Sequence, residues 1–126
     1  MIDKLGQVML YVNDQEEAKR FWTEAVGFQV VAEQATGGMR WVEVAPNSGA
    51  GTTLVLHNKE AVASMSPGLN LGTPSLMFYT DQLDELHSRL SEQGITVGEI
   101  EEMPFGRVFN FADPEENYFA VMEKKA

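Results

Sequence analysis

The sequence predicts an α+β fold built from two tandem modules, each with the element order β-α-β-β-β. Punctuating residues recur when the chain is compared with itself at a shift of 67 positions: Gly27 matches Gly94 and Arg40 matches Arg107. Each glycine follows a segment with helical spacing of apolar residues, and each arginine begins an alternating segment typical of a strand. The same order of predicted elements therefore occurs twice. Further matches at this shift are Asp14 with Asp81, Leu10 with Met77, Val42 with Phe109 and Leu54 with Val121.

Module 1 is predicted to span residues 5–57. Asn13 or Asp14 is suited to cap the start of its helix, because a short polar side chain can accept a hydrogen bond from the first helical turn. Gly27 stands just past the helix, where a left-handed backbone favours glycine. The predicted elements are a strand at 5–12, a helix at 14–25 and strands at 28–35, 38–46 and 52–57.

Module 2 is predicted to span residues 72–123, with residues 58–71 as a connecting loop that has room for a short helical turn. Thr80 or Asp81 is the expected N-cap of its helix, and Gly94 repeats the role of Gly27. The predicted elements are a strand at 72–80, a helix at 81–93 and strands at 95–101, 105–112 and 118–123. Together the modules are interpreted as one domain, 1–126.

Composition excludes several classes of function. The chain has 126 residues, 44% of them hydrophobic, which is enough for an ordinary core without disulfides, and it contains no cysteine. Nine basic residues against 19 acidic ones give a net charge of −10, so binding to nucleic acid or to an anionic membrane is not expected. No segment has the pattern of a signal peptide or a membrane span, and a cytoplasmic protein is predicted.

Alternation along the strands separates two faces of the predicted sheet. One set of side chains is apolar almost throughout and is expected to be covered by the helices. The opposite set mixes aromatic, methionine and polar residues, which is typical of a ligand site or of an interface with another module or subunit. The candidate binding residues on this second face are Gln7, Tyr11, Trp41, Glu43, His57, Met77, Tyr79, Asn110 and Tyr118.

Two segments carry a family resemblance. "YVNDQEEAKRFW" with the following "VGF", and the turn "DPEENYF", resemble the vicinal oxygen chelate superfamily, which includes glyoxalase I, bleomycin-resistance proteins and extradiol dioxygenases. The "DPEENYF" turn stands where relatives usually carry a DPxGN-type turn. The resemblance covers nearly the whole chain. It implies that the two curved modules form a cup-shaped mixed sheet, commonly within a homodimer.

The same resemblance implies four positions at which relatives place metal ligands. Carried over one by one, these positions fall on Gln7, Val55, Ser75 and Ala120. Only Gln7 is a ligand of the family's kind, because valine and alanine have no donor atom and a lone serine hydroxyl binds divalent ions poorly. The sequence therefore predicts no metal site and no cofactor.

The leading hypothesis is metal-independent binding of a small organic molecule by a homodimer. One alternative is a metal-dependent lyase or dioxygenase with non-standard ligands, and another is a metal-free isomerase using His57 and Glu43. A dimeric scaffold without a ligand is a third. No nucleophile–base set is visible, so catalytic residues remain unknown. Arg40 and Arg107 are interpreted as structural, His57 as a strand-end histidine that could contact a ligand, and His87 as flanking the core.

Overall fold

A computed structural model describes residues 1–124, and it confirms the predicted α+β class with two four-stranded mixed sheets. The chain divides into two compact units, with the boundary between Thr73 and Pro74. We call the first unit, which ends at Thr73, module 1 and the second, which begins at Pro74, module 2.

Module 1 contains the first four strands and two helices. Helix α1 continues into a π-helical turn, Phe21–Ala25, where the prediction had one continuous helix to residue 25. Helix α2 occupies the start of the predicted connecting loop, and the Asn58 side chain accepts a hydrogen bond from the Ala61 N–H. The elements are β1 Gln7–Val12, α1 Gln15–Arg20, β2 Gln29–Thr36, β3 Met39–Ala45, β4 Thr53–Asn58 and α2 Lys59–Met65.

Module 2 repeats this plan with one longer helix. Its first strand is shorter than predicted. Of the strand predicted at 95–101, residues 95–100 are irregular except for a single bridge between Val97 and Phe111, and β6 begins at Glu101. The elements are β5 Met77–Thr80, α3 Leu83–Glu92, β6 Glu101–Met103, β7 Gly106–Ala112 and β8 Tyr118–Glu123.

The two sheets have the same topology. Their strand orders are β1-β4-β3-β2 and β5-β8-β7-β6, so the first strand of each module lies beside its last. This pairing is parallel in both modules, and the other pairs are antiparallel. A parallel pair needs a long connection, which the helix and two intervening strands supply.

The helix ends follow the sequence signals in part. Asp14 caps α1 by accepting a hydrogen bond from the Glu17 N–H at 3.0 Å, as predicted. The prediction for α3 was wrong, because Gln82 occupies the N-cap and makes no side-chain cap bond. Thr80 instead accepts a hydrogen bond from the Gln82 N–H before the helix begins, and this bond stabilises the turn. Gly27 and Gly94 have φ angles of 94° and 77°, which confirms both left-handed positions.

Strand register gives the positions at which the two modules correspond. Glu43 pairs with Val55, which pairs with Met9. In module 2 Asn110 pairs with Ala120, which pairs with Met77. The third strands of the modules are thus 67 positions apart, the last strands 65 and the first strands 68. The predicted match of Leu10 with Met77 was therefore wrong: Leu10 is 3% exposed and Met77 is 45% exposed.

The helix-covered face of each sheet forms the core. The residues assigned to it from alternation are buried in the middle of the strands, including Val42, Leu56, Phe109 and Phe119. Trp22, from the π-helical turn, is completely buried and contacts Phe28 with a ring-centroid separation of 5.3 Å. Burial of such side chains, at about 1.5–3 kcal/mol each, is the main source of stability. Within residues 1–124, no helix combines the length and apolar character needed to cross a membrane.

Candidate functional site

Each sheet has a second face that its own helix does not cover, and the candidate binding residues lie there. We call these surfaces the module 1 face and the module 2 face. The module 1 face comprises Gln7, Met9, Tyr11, Trp41, Glu43, Thr53, Val55 and His57. The module 2 face comprises Met77, Tyr79, Val108, Asn110, Tyr118, Ala120 and Met122.

One end of the module 1 face is polar. The Thr53 hydroxyl donates to Oε2 of Glu43 at 2.5 Å, and Nε2 of Gln7 lies 3.5 Å from the same oxygen. Gln7 and Thr53 are register partners in the parallel pair β1–β4, which places both donors beside the carboxylate. The strand pairing thus fixes the orientation of Glu43, a candidate residue for ligand recognition.

The other end of the module 1 face is aromatic. His57 is the register partner of Tyr11 on one side and of Trp41 on the other. The rings of Tyr11 and His57 stack with centroids 5.9 Å apart and planes inclined by 23°. Trp41 and Tyr11 are both half-buried. These side chains form a surface against which a flat apolar group can pack.

His57 has an unusual environment on this surface. Its Nε2 lies 3.2 Å from Sδ of Met9, while Nδ1 is the only buried side-chain nitrogen or oxygen of residues 1–124 that lacks a hydrogen-bond partner. Partial burial lowers the pKa of His57, because desolvation disfavours the imidazolium. Burial therefore favours the neutral form of the ring.

The module 2 face contains an open pocket of about 410 Å³. It is lined by Met77, Asn110 and Tyr118, three of the predicted site residues, together with neighbouring backbone and small side chains. Met77 and Tyr118 are 45% and 59% exposed, so their apolar surface is available to a partner. A volume of this order is in the range of small-molecule pockets.

A second open pocket, of about 660 Å³, adjoins the other end of the module 2 face. Tyr79, a predicted site residue, lines it together with Phe105, Met122 and the start of the C-terminal segment. Phe105 was not predicted as a site residue. It lies in the turn between β6 and β7 and is 61% exposed. The only sequence signal was an aromatic residue between Pro104 and Gly106, in a turn that normally carries polar residues.

The donor set does not fit a metal of the kind that the family resemblance implies. The register makes Ser75, which directly precedes β5, the counterpart of Gln7. Ser75 offers only a lone hydroxyl, and Val55 and Ala120 offer no donor. Across residues 1–124, no three His, Cys, Asp or Glu side chains are close enough together to hold an ion. No chemical step is therefore assigned to a metal.

An isomerase mechanism would need His57 to act with Glu43, and the structure does not bring their side chains together. Glu43 bonds to Gln7 and Thr53, whereas His57 contacts Met9 and stacks on Tyr11. A general base is normally oriented by a hydrogen bond to a third group, and Nδ1 of His57 has none within residues 1–124.

The remaining charged residues singled out in the sequence have structural contacts. Arg40 forms ion pairs with Glu16 and Glu33, and the pKa of Arg40 is raised by these hydrogen bonds. Arg107 likewise forms two ion pairs in module 2, with Asp84 on α3 and with Glu123 on β8. Each arginine thus joins its sheet to the helix of its own module.

His87 also has a structural contact. Its Nε2 lies 2.8 Å from the Gly98 carbonyl, and its ring packs edge-on against Phe109. This position beside the core agrees with the sequence interpretation.

Comparison with known proteins identifies relatives over the whole chain. A protein of Bacillus subtilis (strain 168), YetH, is 35% identical over 125 residues, covering 98% of this chain and 100% of its own. Among solved structures, TnmS3, an antibiotic binding protein from Streptomyces sp. CB03234, is 34% identical with a TM-score of 0.83, and 98% of each chain is covered. A superfamily member from Sphaerobacter thermophilus DSM 20745 is 29% identical with a TM-score of 0.81, again over 98% of each chain.

The family model described as "Glyoxalase/Bleomycin resistance protein/Dioxygenase superfamily" matches residues 4–121. This range includes both sheets and both candidate faces except for Met122 and Glu123, the last two residues of β8. The duplicated topology, the two segments that carry the resemblance and the solved relatives agree with that match. The chain therefore belongs to the glyoxalase/bleomycin resistance protein/dioxygenase superfamily.

Proposed function

We propose that this protein binds a small organic molecule without a metal, using the faces of its sheets that the helices leave uncovered. The observation that carries the proposal is the composition of these faces. Tyr11, Trp41 and His57 supply a half-buried aromatic surface, and the oriented carboxylate of Glu43 lies on the same sheet. Apolar walls with few polar groups are the usual design of a small-molecule site.

The module 2 face supports the same function. Met77, Tyr79 and Tyr118 expose large apolar surfaces, and two open pockets adjoin them. Methionine and tyrosine adapt to ligands of varied shape, because the thioether chain is flexible and the phenol combines an apolar ring with a polar end. The relative TnmS3, 34% identical, is an antibiotic binding protein, which favours a ligand-binding role over catalysis.

The proposal is tested with the two tryptophans of the chain. Trp22 is completely buried in the core and Trp41 is half-buried on the module 1 face, so their indole N–H resonances serve as an internal reference and a reporter. ¹⁵N-labelled protein is titrated with a panel of neutral and charged aromatic compounds, and native mass spectrometry searches protein taken from cells for a retained molecule. We expect ligands to move the Trp41 resonance and to leave Trp22 in place.

Two variants make the test specific. Trp41→Ala should weaken binding about tenfold, since an aromatic contact contributes beyond its buried area. Met65→Ala is the matched control, because Met65 is 66% exposed on α2 and belongs to neither face. The proposal fails if no panel compound moves Trp41 and no molecule is retained, or if a panel compound is converted to a product.

We also propose that the protein is a homodimer, as the family resemblance implies, and that it is cytoplasmic. The exposed side chains of the module 2 face support self-association, since large apolar patches on soluble proteins commonly mark interaction sites. Light scattering coupled to gel filtration should give twice the chain mass of 14.0 kDa. A mass of one chain at micromolar concentration would contradict the dimer and leave the ligand proposal standing.

A further inference from the structure

The module 1 face contains a carboxylate with one oxygen engaged and one oxygen free. Oε2 of Glu43 accepts the hydrogen bonds of Thr53 and Gln7. Within residues 1–124 no hydrogen bond is made by Oε1, and Oε1 is also not among the buried atoms that lack a partner. This oxygen is therefore accessible to a hydrogen-bond donor from outside the protein, while its direction is fixed by the two internal donors.

The negative charge of this carboxylate is not balanced by a neighbouring cation. The salt bridges of module 1 join Lys19 and Arg40 to Glu33 and Glu16, and none of those found among the described residues involves Glu43. The other polar neighbours of Glu43, a glutamine and a threonine, are uncharged. A ligand that brings a positive charge to Oε1 would gain a charge-assisted hydrogen bond, which is stronger than a neutral one.

The aromatic surface begins two residues away on the same strand. Trp41 and Glu43 both belong to β3 and point to the same face, so their Cα atoms are about 7 Å apart. Trp41 is the register partner of His57, whose ring stacks on Tyr11. Burial lowers the pKa of His57 and so favours its uncharged form, which does not repel a positively charged ligand.

We infer that the module 1 face selects ligands in which an aromatic ring carries a protonated amine on a short alkyl chain. This inference rests on the proposed function and defines its ligand class. The ring packs against Trp41, and the ammonium group donates a hydrogen bond to Oε1 of Glu43. A linker of about two carbons suits the separation of the two side chains, and an anionic group at the same place is repelled.

The test compares three compounds that share a phenylethyl group and differ in the terminal group, which is cationic, neutral or anionic. 2-Phenylethylamine, 2-phenylethanol and 3-phenylpropionate are titrated into the full chain at pH 7, and the Trp41 indole resonance is followed against Trp22. We expect the amine to bind about three- to tenfold more tightly than the alcohol, and the carboxylate to bind most weakly. Raising the salt concentration should reduce the preference for the amine.

Glu43→Gln is the decisive variant, because it keeps the size of the side chain and removes its charge. In this variant the amine and the alcohol should bind equally. Glu92→Gln removes the same charge from the exposed end of α3 and should retain the preference of the unchanged protein. Folding of both variants is checked by the Trp22 resonance.

Each outcome decides the inference. Equal binding of the three compounds overturns the ligand class but leaves the proposed function intact, since Trp41 still reports binding. A preference for the amine that survives in Glu43→Gln also overturns it. If none of the three compounds moves Trp41, the ligand class is wrong, and the proposed function is then judged by its own wider panel and by the search for a retained molecule.

Discussion

His57 combines partial burial with a ring nitrogen that has no hydrogen-bond partner. Because burial lowers the pKa of this histidine below its usual value near 6.5, the unfolded chain binds the proton more readily than the folded chain. The contribution of His57 to stability is therefore complete above the unfolded pKa, and it is lost as the pH falls from there toward the folded pKa. The groups that face its ring are Met9, Tyr11 and Trp41, none of them charged at neutral pH.

The corresponding prediction is a pH-dependent loss of stability that disappears in His57→Gln. Urea unfolding is measured between pH 7.5 and pH 5 for both proteins. The unchanged protein should lose more stability on acidification than the variant does, because glutamine takes up no proton. If the free energy of unfolding changes equally with pH in the two proteins, burial of His57 does not control the pH dependence of stability in this range.

Glu116 is the one non-glycine residue of the described chain with a positive φ, 65°. It lies in the turn in which Asp113 accepts hydrogen bonds from the N–H groups of Glu115 and Asn117. For a residue with a side chain, the left-handed conformation costs about 1–2 kcal/mol. Glycine avoids this cost, but part of the gain is lost because glycine has more conformational freedom in the unfolded chain. The family's DPxGN-type turn has glycine at this place.

Glu116→Gly should therefore stabilise the protein by about 0.5–1 kcal/mol. The free energy of unfolding is obtained from urea denaturation at pH 7. Glu116→Ala removes the same carboxylate without relieving the backbone and serves as the control. If alanine stabilises as much as glycine, the gain comes from the lost charge and not from the φ angle.

At the scale of single residues, the sequence predicted which side chains share a face but not what each contacts. Alternation assigned Trp41, Glu43 and His57 to one side correctly, because the direction of side chains along a strand has a period of two residues. It could not show that Thr53 and Gln7 orient Glu43, since these contacts depend on strand register. Phe105 was missed because alternation says nothing about the direction of a turn residue.

Gln15 shows how α1 is attached to its sheet. This side chain is 9% exposed, and its Nε2 donates hydrogen bonds to the carbonyls of Arg40 at 2.7 Å and Leu56 at 3.0 Å. The two acceptors belong to β3 and β4, so a single amide joins the helix to two strands. In module 2 the first helical residue is the buried Leu83, so there an apolar side chain replaces the amide.

Gln15→Met should cost about 1–3 kcal/mol of unfolding free energy, because two carbonyls lose their donor while the side-chain volume is kept. Gln82→Met, before α3, is the matched control: Gln82 is exposed and makes no side-chain cap bond, so a change within about 0.5 kcal/mol is expected. Thermal and urea unfolding measure both. A small effect at Gln15 would mean that other contacts hold α1 in place.

The existence and order of the elements were predictable from the sequence. The number of positions that separates corresponding strands of the two modules was not. Repeated glycines and arginines gave the shift of 67, which holds for β2 with β6 and for β3 with β7. The last strands are 65 positions apart, because the connection between the last two strands is two residues shorter in module 2, and the first strands are 68 apart. Apolar residues match at several shifts in a β-rich chain, so only the observed register distinguishes them. The wrong match of Leu10 with Met77 follows from this ambiguity.

At the scale of the whole molecule, we predict that ligand binding needs no metal, because the side chains at the family's four metal-ligand positions do not suit a metal ion. Elemental analysis of protein purified without chelators should find far less than one zinc, nickel or iron ion per chain. Ligand titrations followed by Trp41 should be unchanged by EDTA. A stoichiometric ion, or loss of binding on chelation, would contradict the assignment and revive a lyase or dioxygenase function for this chain.

The parallel pairing of first and last strands also bears on how the chain acquires its structure during synthesis. Residues 7–58 hold every strand of the first sheet, so that sheet can assemble while the ribosome is still translating the remainder. The second sheet has no partner for β5 until Tyr118–Glu123 has been made. A nascent polypeptide halted before that strand would carry a finished first half and an unpaired, aggregation-prone second half.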